Sequence, residues 1–185
     1  MEPSLTNPNP RLDPERAQAL LEEAEALMAR GLLQEALPLL QEAVRLDPQS
    51  APAHNKLGVC HARRGELELA RQAFAAAIEV DPRFAPAYSN LGNLHQEAGR
   101  LEEAVAAYHQ ALQLDPDYYI AHHNLGVVYK RMGRISEAVD HLKRAARLEH
   151  GRPAARGGQQ PAAARWSGLL WAAILLGLAY LLFGR

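Results

Sequence analysis

The chain has 185 residues, and its 20 Lys and Arg residues nearly balance its 21 Asp and Glu residues, which gives a formal net charge of −1. This balance excludes a dominantly basic nucleic-acid-binding protein and a highly charged disordered chain. The single cysteine, Cys60, excludes an internal disulfide framework and a multi-cysteine zinc site.

The first segment, residues 1–16, is a Pro-containing lead-in without the basic region and apolar stretch of a secretory signal. From its end onward, the dipeptide Asp-Pro recurs every 34 residues, and a fixed period of this size indicates a solenoid of supersecondary units. The four dipeptides begin at Asp13, Asp47, Asp81 and Asp115. Alignment on this period predicts four units, at 17–50, 51–84, 85–118 and 119–152.

Several positions, counted from the first residue of each unit, repeat their residue type. Position 8 is glycine in the last three units, position 15 is glycine in all four, and positions 20 and 27 are always alanine. Position 24 is always large and apolar. The residues at position 15 are Gly31, Gly65, Gly99 and Gly133, and those at position 24 are Leu40, Phe74, Tyr108 and Leu142.

This spacing predicts two helices in each unit. Positions 4, 7, 8 and 11 share one face of a first helix, and positions 20, 24 and 27 share one face of a second. Glycine at position 15 suits the left-handed conformation at the end of the first helix, while glycine at 8 and alanine at 20 and 27 let the paired backbones approach closely. Because such a hairpin cannot bury its own apolar face, the units are predicted to stack around a continuous core.

The pattern resembles the tetratricopeptide repeat (TPR) over residues 17–152, most clearly in the second and third units (Leu57, Gly58, Ala70, Phe74, Ala77 and Pro82 in the second). The first unit departs from it with Glu23 and Ala24 in place of Leu-Gly, and the fourth has His150 in place of proline. The resemblance implies an all-α fold, a right-handed solenoid of four αα-hairpins, to which the sequence adds one C-terminal transmembrane helix.

In arrays of this family the first helices line a concave groove that binds peptides. The resemblance therefore implies a groove in this chain, and its asparagines suit an extended peptide because an amide side chain both donates and accepts hydrogen bonds. In this respect the chain is similar to asparagine-lined arrays such as that of O-GlcNAc transferase, although ordinary solvation is the alternative for any single asparagine. The expected groove residues are Asn55, Lys56, Arg63, Ser89, Asn90, Asn93, Gln96, His123, Asn124, Lys130 and Arg131. The carboxylate-clamp pattern for chaperone C-termini does not match, whether the alignment starts at the first unit or at the second.

The C-terminal segments differ in composition from the repeats. Residues 153–165 contain Pro, Gly and Gln without apolar periodicity and are predicted to form a flexible linker. Residues 166–183 carry no charged side chain, and as a helix they would extend about 27 Å, which is within the range that spans a bilayer. We predict a transmembrane helix there; a buried or interfacial helix is the alternative.

The charges beside this segment predict its orientation. Residues 141–165 carry six basic side chains against Glu149 alone, and only Arg185 follows the apolar segment, so the N-terminal side is expected in the cytoplasm. This arrangement looks like that of a tail-anchored, single-pass membrane protein. Small residues at a spacing of four, including Gly168 and Ala172, also permit weak self-association through the transmembrane helix.

No arrangement of residues predicts catalysis. The chain has no phosphate-binding loop and no nucleophile–base pair with supporting context. The histidines at position 4 (His54 and His122) and position 11 (His61 and His95) are interpreted as packing residues, since aromatic rings usually pack there. The sequence predicts neither an enzyme nor a cofactor or metal.

We therefore expect a membrane-anchored, cytosol-facing adaptor that holds a protein or peptide partner, in extended form, in the groove of its TPR array. The alternative is a structural assembly subunit of a larger membrane protein complex.

Overall fold

The computed structural model describes residues 12–150, in which helices alternate with short turns and no strand occurs. The eight helices are α1 (Pro14–Ala29), α2 (Leu33–Leu46), α3 (Ala51–Arg63), α4 (Leu67–Val80), α5 (Ala85–Glu97), α6 (Leu101–Leu114), α7 (Tyr119–Arg131) and α8 (Ile135–His150). The prediction of an all-α solenoid of helical hairpins is confirmed for these residues. We call α1, α3, α5 and α7 the first helices and the other four the second helices.

Short side-chain hydrogen bonds position the starts of the helices. The carboxylate of Asp13 accepts a hydrogen bond of 3.0 Å from the backbone N–H of Arg16 and caps α1, and the hydroxyl of Ser50 accepts one of 3.3 Å from Ala53 and caps α3. In the later Asp-Pro dipeptides, Asp81 accepts from the backbone of Arg83 at 2.9 Å, which closes a tight turn. The Asp-Pro dipeptide therefore directs the chain from one hairpin into the next.

Each first helix is followed by the glycine at position 15, in a left-handed conformation. The φ angles of these four glycines range from 75° at Gly99 to 81° at Gly31 and Gly65. This region favours glycine because it has no Cβ to clash with the following carbonyl. The predicted role of this glycine is confirmed.

The two helices of a hairpin pack through position 24. The side chains of Phe74 and Tyr108 are almost completely buried, at 1% and 0% exposure. A Cβ added to Gly58 would lie 2.5 Å from the ring of Phe74, and one added to Gly92 would lie 2.6 Å from the ring of Tyr108. The glycine at position 8 therefore makes room for the aromatic side chain of the second helix, which is a more specific role than the close backbone approach expected from the sequence.

Contacts between hairpins place the helices in two rows. Each second helix packs against the next first helix, as α2 does against α3, α4 against α5 and α6 against α7. The first helices also contact one another directly, α1 with α3, α3 with α5 and α5 with α7. Their side chains consequently form one continuous surface.

The junction between the first two hairpins contains the cysteine. Cys60 on α3 is completely buried, at 0% exposure, and its Sγ lies 3.7 Å from the carbonyl oxygen of Leu33 on α2. Burial raises the pKa of the Cys60 thiol. The residue acts as a small packing residue.

Three predicted segments lie wholly or mostly outside the described residues: the lead-in before residue 12, the linker 153–165 and the transmembrane helix 166–183. Between residues 12 and 150, no helix is both long and apolar enough to cross a bilayer.

Candidate functional site

A groove of 530 Å³ runs along the row of first helices. Its wall combines acidic, basic, amide and apolar side chains from all four hairpins. It is lined by Glu25, Met28, Ala29, Asn55, Lys56, Val59, Arg63, Phe84, Pro86, Asn90, Tyr118 and Ile120. The sequence-based set contributes Asn55, Lys56, Arg63 and Asn90 to this lining.

The two basic residues of the groove also link α3 to α1. Lys56 Nζ lies 2.8 Å from Glu25 Oε1, and both side chains are substantially exposed. Arg63 Nη1 donates a hydrogen bond of 2.9 Å to the carbonyl oxygen of Met28, near the C-terminal end of α1. A cation near the C-terminal end of a helix is favourable because unpaired carbonyls accumulate there.

The four asparagines form a chain of hydrogen bonds across three helices. Asn124 Nδ2 on α7 donates to Asn93 Oδ1 on α5 at 2.9 Å, and Asn93 Nδ2 donates to Asn90 Oδ1 at 3.4 Å. Asn90 Nδ2 in turn donates to Asn55 Oδ1 on α3 at 2.8 Å. An amide has two N–H donors and two acceptor lone pairs, so these bonds fix the side chains and leave each amide capacity for further hydrogen bonds.

Tyr108 supports this chain from the second helix α6. Its hydroxyl donates to Asn93 Oδ1 at 2.7 Å and lies 3.1 Å from Gln96 Oε1. Burial raises the pKa of the Tyr108 phenol, so the hydroxyl keeps its proton as a donor. The side chain of Gln96, another expected groove residue, therefore contacts the buried Tyr108.

Position 5 faces inward in the second and third hairpins. Asn55 is 5% exposed and Ser89 is 1% exposed, and the hydroxyl of Ser89 has no hydrogen-bond partner within the described part of the chain. Although both were expected to line the groove, Ser89 packs between helices and does not contribute to the exposed wall. Asn55 is also buried but still belongs to the lining of the groove.

The remaining expected residues lie toward the C-terminal end of the array. Arg131 is exposed and its Nη1 donates to the carbonyl oxygen of Gln96 at 3.1 Å, while Lys130 is exposed next to it. His123 lines a separate cavity of 310 Å³ between α7 and α8, together with Ile120 and Leu142. The groove of 530 Å³ therefore does not extend to Lys130, Arg131 or His123.

A smaller pocket of 200 Å³ opens between α3 and α5. Its lining combines apolar side chains with polar ones. The residues are Val59, Ala62, Arg63, Phe74, Asn90, Asn93, Leu94 and Glu97. Arg63 and Asn90 belong both to this pocket and to the groove, so the two are adjacent.

Glu25 lines the groove and Glu97 lines the smaller pocket, and neither belongs to the set of expected groove residues. The signal for each was available at the spacing of the repeat, because Glu25 occupies position 9 and Glu97 position 13, positions at which other units supplied expected groove residues. Their partners depend on how neighbouring hairpins are staggered, which the repeat period does not specify.

The histidines at position 4 contact the preceding turn. His54 Nε2 lies 3.0 Å from the carbonyl oxygen of Pro48, and His122 Nε2 lies 3.1 Å from that of Pro116. Tyr88 makes the equivalent contact, donating to the carbonyl of Pro82 at 3.2 Å. Each carbonyl can only accept, so position 4 supplies a donor that ties the first helix to the Asp-Pro turn. Over residues 12–150, no three His, Cys, Asp or Glu side chains are arranged to hold a metal ion.

Family models match the chain along the whole of this helical region. A model described as TPR repeat matches residues 97–133, and models described as tetratricopeptide repeat match 11–51, 21–88, 73–106 and 123–148. No curated protein sequence gives a significant match.

The chain is also similar to several solved structures. The crystal structure of MamA is 30% identical with a TM-score of 0.61, and the match covers 75% of this chain and 81% of that one. A structure from the functional characterization of Pseudomonas aeruginosa pilF is 25% identical with a TM-score of 0.67, covering 92% of this chain and 93% of that one. The first TPR of Spaghetti (RPAP3), solved with a bound HSP90 peptide, is 21% identical with a TM-score of 0.61, covering 68% of this chain and 99% of that one; at this identity the likeness shows the fold alone. The chain belongs to the tetratricopeptide repeat family.

Proposed function

We propose that this protein is a membrane-anchored adaptor that faces the cytosol and holds an extended peptide segment of a partner protein in its groove. The observation that carries the proposal is the groove of 530 Å³ to which all four hairpins contribute side chains. A long, continuous cleft with mixed chemistry suits an extended chain better than a compact small molecule.

The polar side chains of the groove support an extended ligand. Asn90 lines the groove, and hydrogen bonds to Asn55 and from Asn93 hold its amide in a fixed orientation, so it loses little conformational freedom when a peptide binds. Asn93 and Asn124 continue this chain of amides outside the lining of the groove. The RPAP3 repeat domain was solved with a peptide bound, which shows that an array of this fold can hold one.

Photo-crosslinking tests peptide binding directly, at two positions that each give up one exposed ion pair. A photoreactive amino acid replaces Lys56, whose side chain is 36% exposed in the groove, and a matched protein carries it at Arg71, which is 54% exposed on α4. We expect the Lys56 protein alone to crosslink to a linear segment of a partner, identified by mass spectrometry of the crosslinked peptides. Crosslinks of equal yield at both positions, or none at Lys56, would contradict the proposed groove.

The membrane part of the proposal rests on the sequence of residues 166–183, which lack any charged side chain. Deletion of residues 166–185 should move the protein from the membrane fraction to the soluble fraction. Retention of the truncated protein on membranes after a high-salt wash would contradict the anchor. Retention in fixed stoichiometry with other subunits would instead indicate the alternative, a structural assembly subunit.

A further inference from the structure

Neighbouring first helices are joined by polar links that recur at fixed spacings. The first link joins position 6 of one unit to position 9 of the preceding unit. It is the ion pair Lys56–Glu25 between α3 and α1, at 2.8 Å, and the hydrogen bond Asn124–Asn93 between α7 and α5, at 2.9 Å. The Lys56–Glu25 pair also lines the groove.

The second link joins position 13 of one unit to the backbone at position 12 of the preceding unit. Arg63 donates to the carbonyl of Met28 between α3 and α1, and Arg131 donates to the carbonyl of Gln96 between α7 and α5. The guanidinium group thereby closes the gap between the C-terminal ends of two helices.

Neither link forms between α5 and α3. Position 9 of the second unit is Val59, which cannot hydrogen-bond, and Asn90 bonds to Asn55 instead, at 2.8 Å. Position 13 of the third unit is Glu97, whose negative charge cannot bind the carbonyl of Ala62. The pocket of 200 Å³ lies at this junction, and both Val59 and Glu97 line it.

The size and floor of this pocket suit one apolar side chain. Its volume of 200 Å³ is below the roughly 300 Å³ at which pockets for drug-sized ligands begin. Val59, Phe74 and Leu94 provide apolar surface, and the ring of Phe74 has no hydroxyl to occupy the space. An aliphatic side chain would gain free energy by leaving water for this surface.

The carboxylate of Glu97, on α5, can pair with a cation beside that side chain. Glu97 is exposed and forms no hydrogen bond or ion pair with any residue from 12 to 150. Arg63 also lines the pocket and keeps its positive charge, and its guanidinium donates to the carbonyl of Met28 at the C-terminal end of α1. A lysine or arginine on the ligand therefore has an available carboxylate to approach.

We propose that the pocket between α3 and α5 selects the partner: it takes one aliphatic side chain of the extended peptide, and Glu97 pairs with a lysine or arginine next to it. This inference rests on the proposed function, since it assigns sequence preference to the same groove. Because neither of the two recurring links forms between α5 and α3, no side chain from such a link fills the pocket, and a ligand side chain can enter it.

The test restores both links and asks whether selectivity is lost. In Val59→Asn/Glu97→Arg, position 9 of the second unit gains an amide that can pair with Asn90. Position 13 of the third unit gains a guanidinium that can bind the carbonyl of Ala62. The matched control, Val139→Asn/Glu103→Arg, makes the same chemical changes at exposed positions on α8 and α6, away from the pocket. The two variants carry equal net charge.

The full-length wild-type chain in lipid nanodiscs is used to select from displayed random linear peptides. A fluorescein-labelled peptide of the selected sequence then serves as the probe for fluorescence polarisation with all three proteins. We expect selected sequences to contain Leu, Ile, Val or Met next to Lys or Arg, and we expect binding about tenfold or more weaker for Val59→Asn/Glu97→Arg and unchanged for the control. The denaturation midpoint of the first variant should equal or exceed that of wild type, which separates loss of binding from loss of fold.

Each result is decisive. Selected peptides without the aliphatic–basic pair, or equal binding by both variants, would overturn the selectivity pocket while leaving peptide binding intact. If wild type selects no peptide at all, the proposed function fails together with this inference.

Discussion

The second hairpin (α3 and α4) and the third hairpin (α5 and α6) share one framework but differ in what the aromatic ring of the second helix contacts on the first helix. In both, a glycine at position 8 of the first helix accommodates the ring at position 24 of the second. In the third hairpin the hydroxyl of Tyr108 donates to Asn93, whereas in the second hairpin Phe74 lies beside Val59 and no hydrogen bond replaces that contact. Two coordinated differences, Phe74 in place of tyrosine and Val59 in place of asparagine, thus leave the second hairpin with a partly apolar pocket where the third has a hydrogen bond.

The largest expected effect tests what the two hairpins have in common. Phe74→Ala and Tyr108→Ala should each lower the free energy of unfolding by about 3–5 kcal/mol, because each removes a buried ring and leaves a cavity. Chemical denaturation of the full-length chain in detergent measures the change. Leu69→Ala, at a side chain that is 47% exposed on α4, is the control and should change the free energy little. A small effect for Phe74→Ala alone would mean that the pocket already weakens packing in the second hairpin.

A smaller effect tests the hydroxyl that distinguishes the third hairpin. Tyr108→Phe keeps the ring and should cost about 1.5 kcal/mol, because Asn93 Oδ1 and Gln96 Oε1 lose a buried neighbour while Asn93 keeps its bond from Asn124. The same denaturation experiment measures it. No loss of stability would show that the hydroxyl is replaced by water, and that the two junctions differ less than their geometry indicates.

The third prediction transfers the polar pair into the second hairpin. In a double-mutant cycle of Phe74→Tyr and Val59→Asn, the two substitutions should stabilise each other by about 1 kcal/mol, the net contribution of one hydrogen bond. The matched cycle of Tyr108→Phe and Asn93→Val in the third hairpin should give a coupling of the same sign. Additive effects in the second hairpin would mean that its helices hold a different spacing.

The sequence predicted the parts of the fold that depend on one unit and its repetition. The 34-residue period located the hairpins, and the glycines at position 15, such as Gly65, adopt the left-handed conformation expected for them. These features follow from local backbone preferences and from the spacing of apolar residues. They are repeated four times, which makes each assignment more secure.

The candidate site was less predictable because it depends on contacts between units. Ser89 and Arg63 both occupy positions expected to face the groove. Ser89 is buried instead, whereas Arg63 does line the groove but also binds the backbone of α1, which was not expected. The contacts between side chains of adjacent hairpins depend on the stagger and tilt of those hairpins. The period of the repeat specifies neither the stagger nor the tilt. The functional meaning of Val59 and Glu97 likewise depends on what the equivalent residues of neighbouring units bind.

The smallest expected effect is a loss of stability at low pH, which should affect the second hairpin more than the third. In the second hairpin, hydrogen bonds from Arg64 and then His61 lower the pKa of Glu66 to about 2, from 4.5. His61 Nδ1 lies 2.6 Å from Glu66 Oε2, whereas in the third hairpin the Nδ1 of His95, at the same position 11, has no hydrogen-bond partner within residues 12–150. Because the pKa of Glu66 is lower in the folded chain, its stabilising contribution is present above pH 4.5 and is lost as the pH falls toward 2.

Hydrogen exchange measured at several pH values in this window should show α3 and α4 losing protection relative to α5 and α6. Glu66→Gln should reduce that pH dependence and leave the third hairpin unchanged; part of it should remain, because a hydrogen bond from Arg71 also lowers the pKa of Glu68 on α4 to about 2. Since the Glu66 side chain is about a third exposed, at 32%, solvent screens these interactions and the effect is small. Equal acid sensitivity of the two hairpins would contradict this assignment.

The burial of Cys60 at the contact between α2 and α3 has a practical consequence. It is the single thiol of the 185-residue chain, and a reagent can reach it only when the first two hairpins separate. The labelling rate of the unmodified protein, compared with that of the unfolded chain, therefore reports how often this junction opens. If a bound peptide contacts both Lys56 and Glu25, it joins the same two hairpins, and saturating peptide should slow the labelling of Cys60. The labelling rate of this one thiol would then report both the opening of the junction and the binding of a peptide across it.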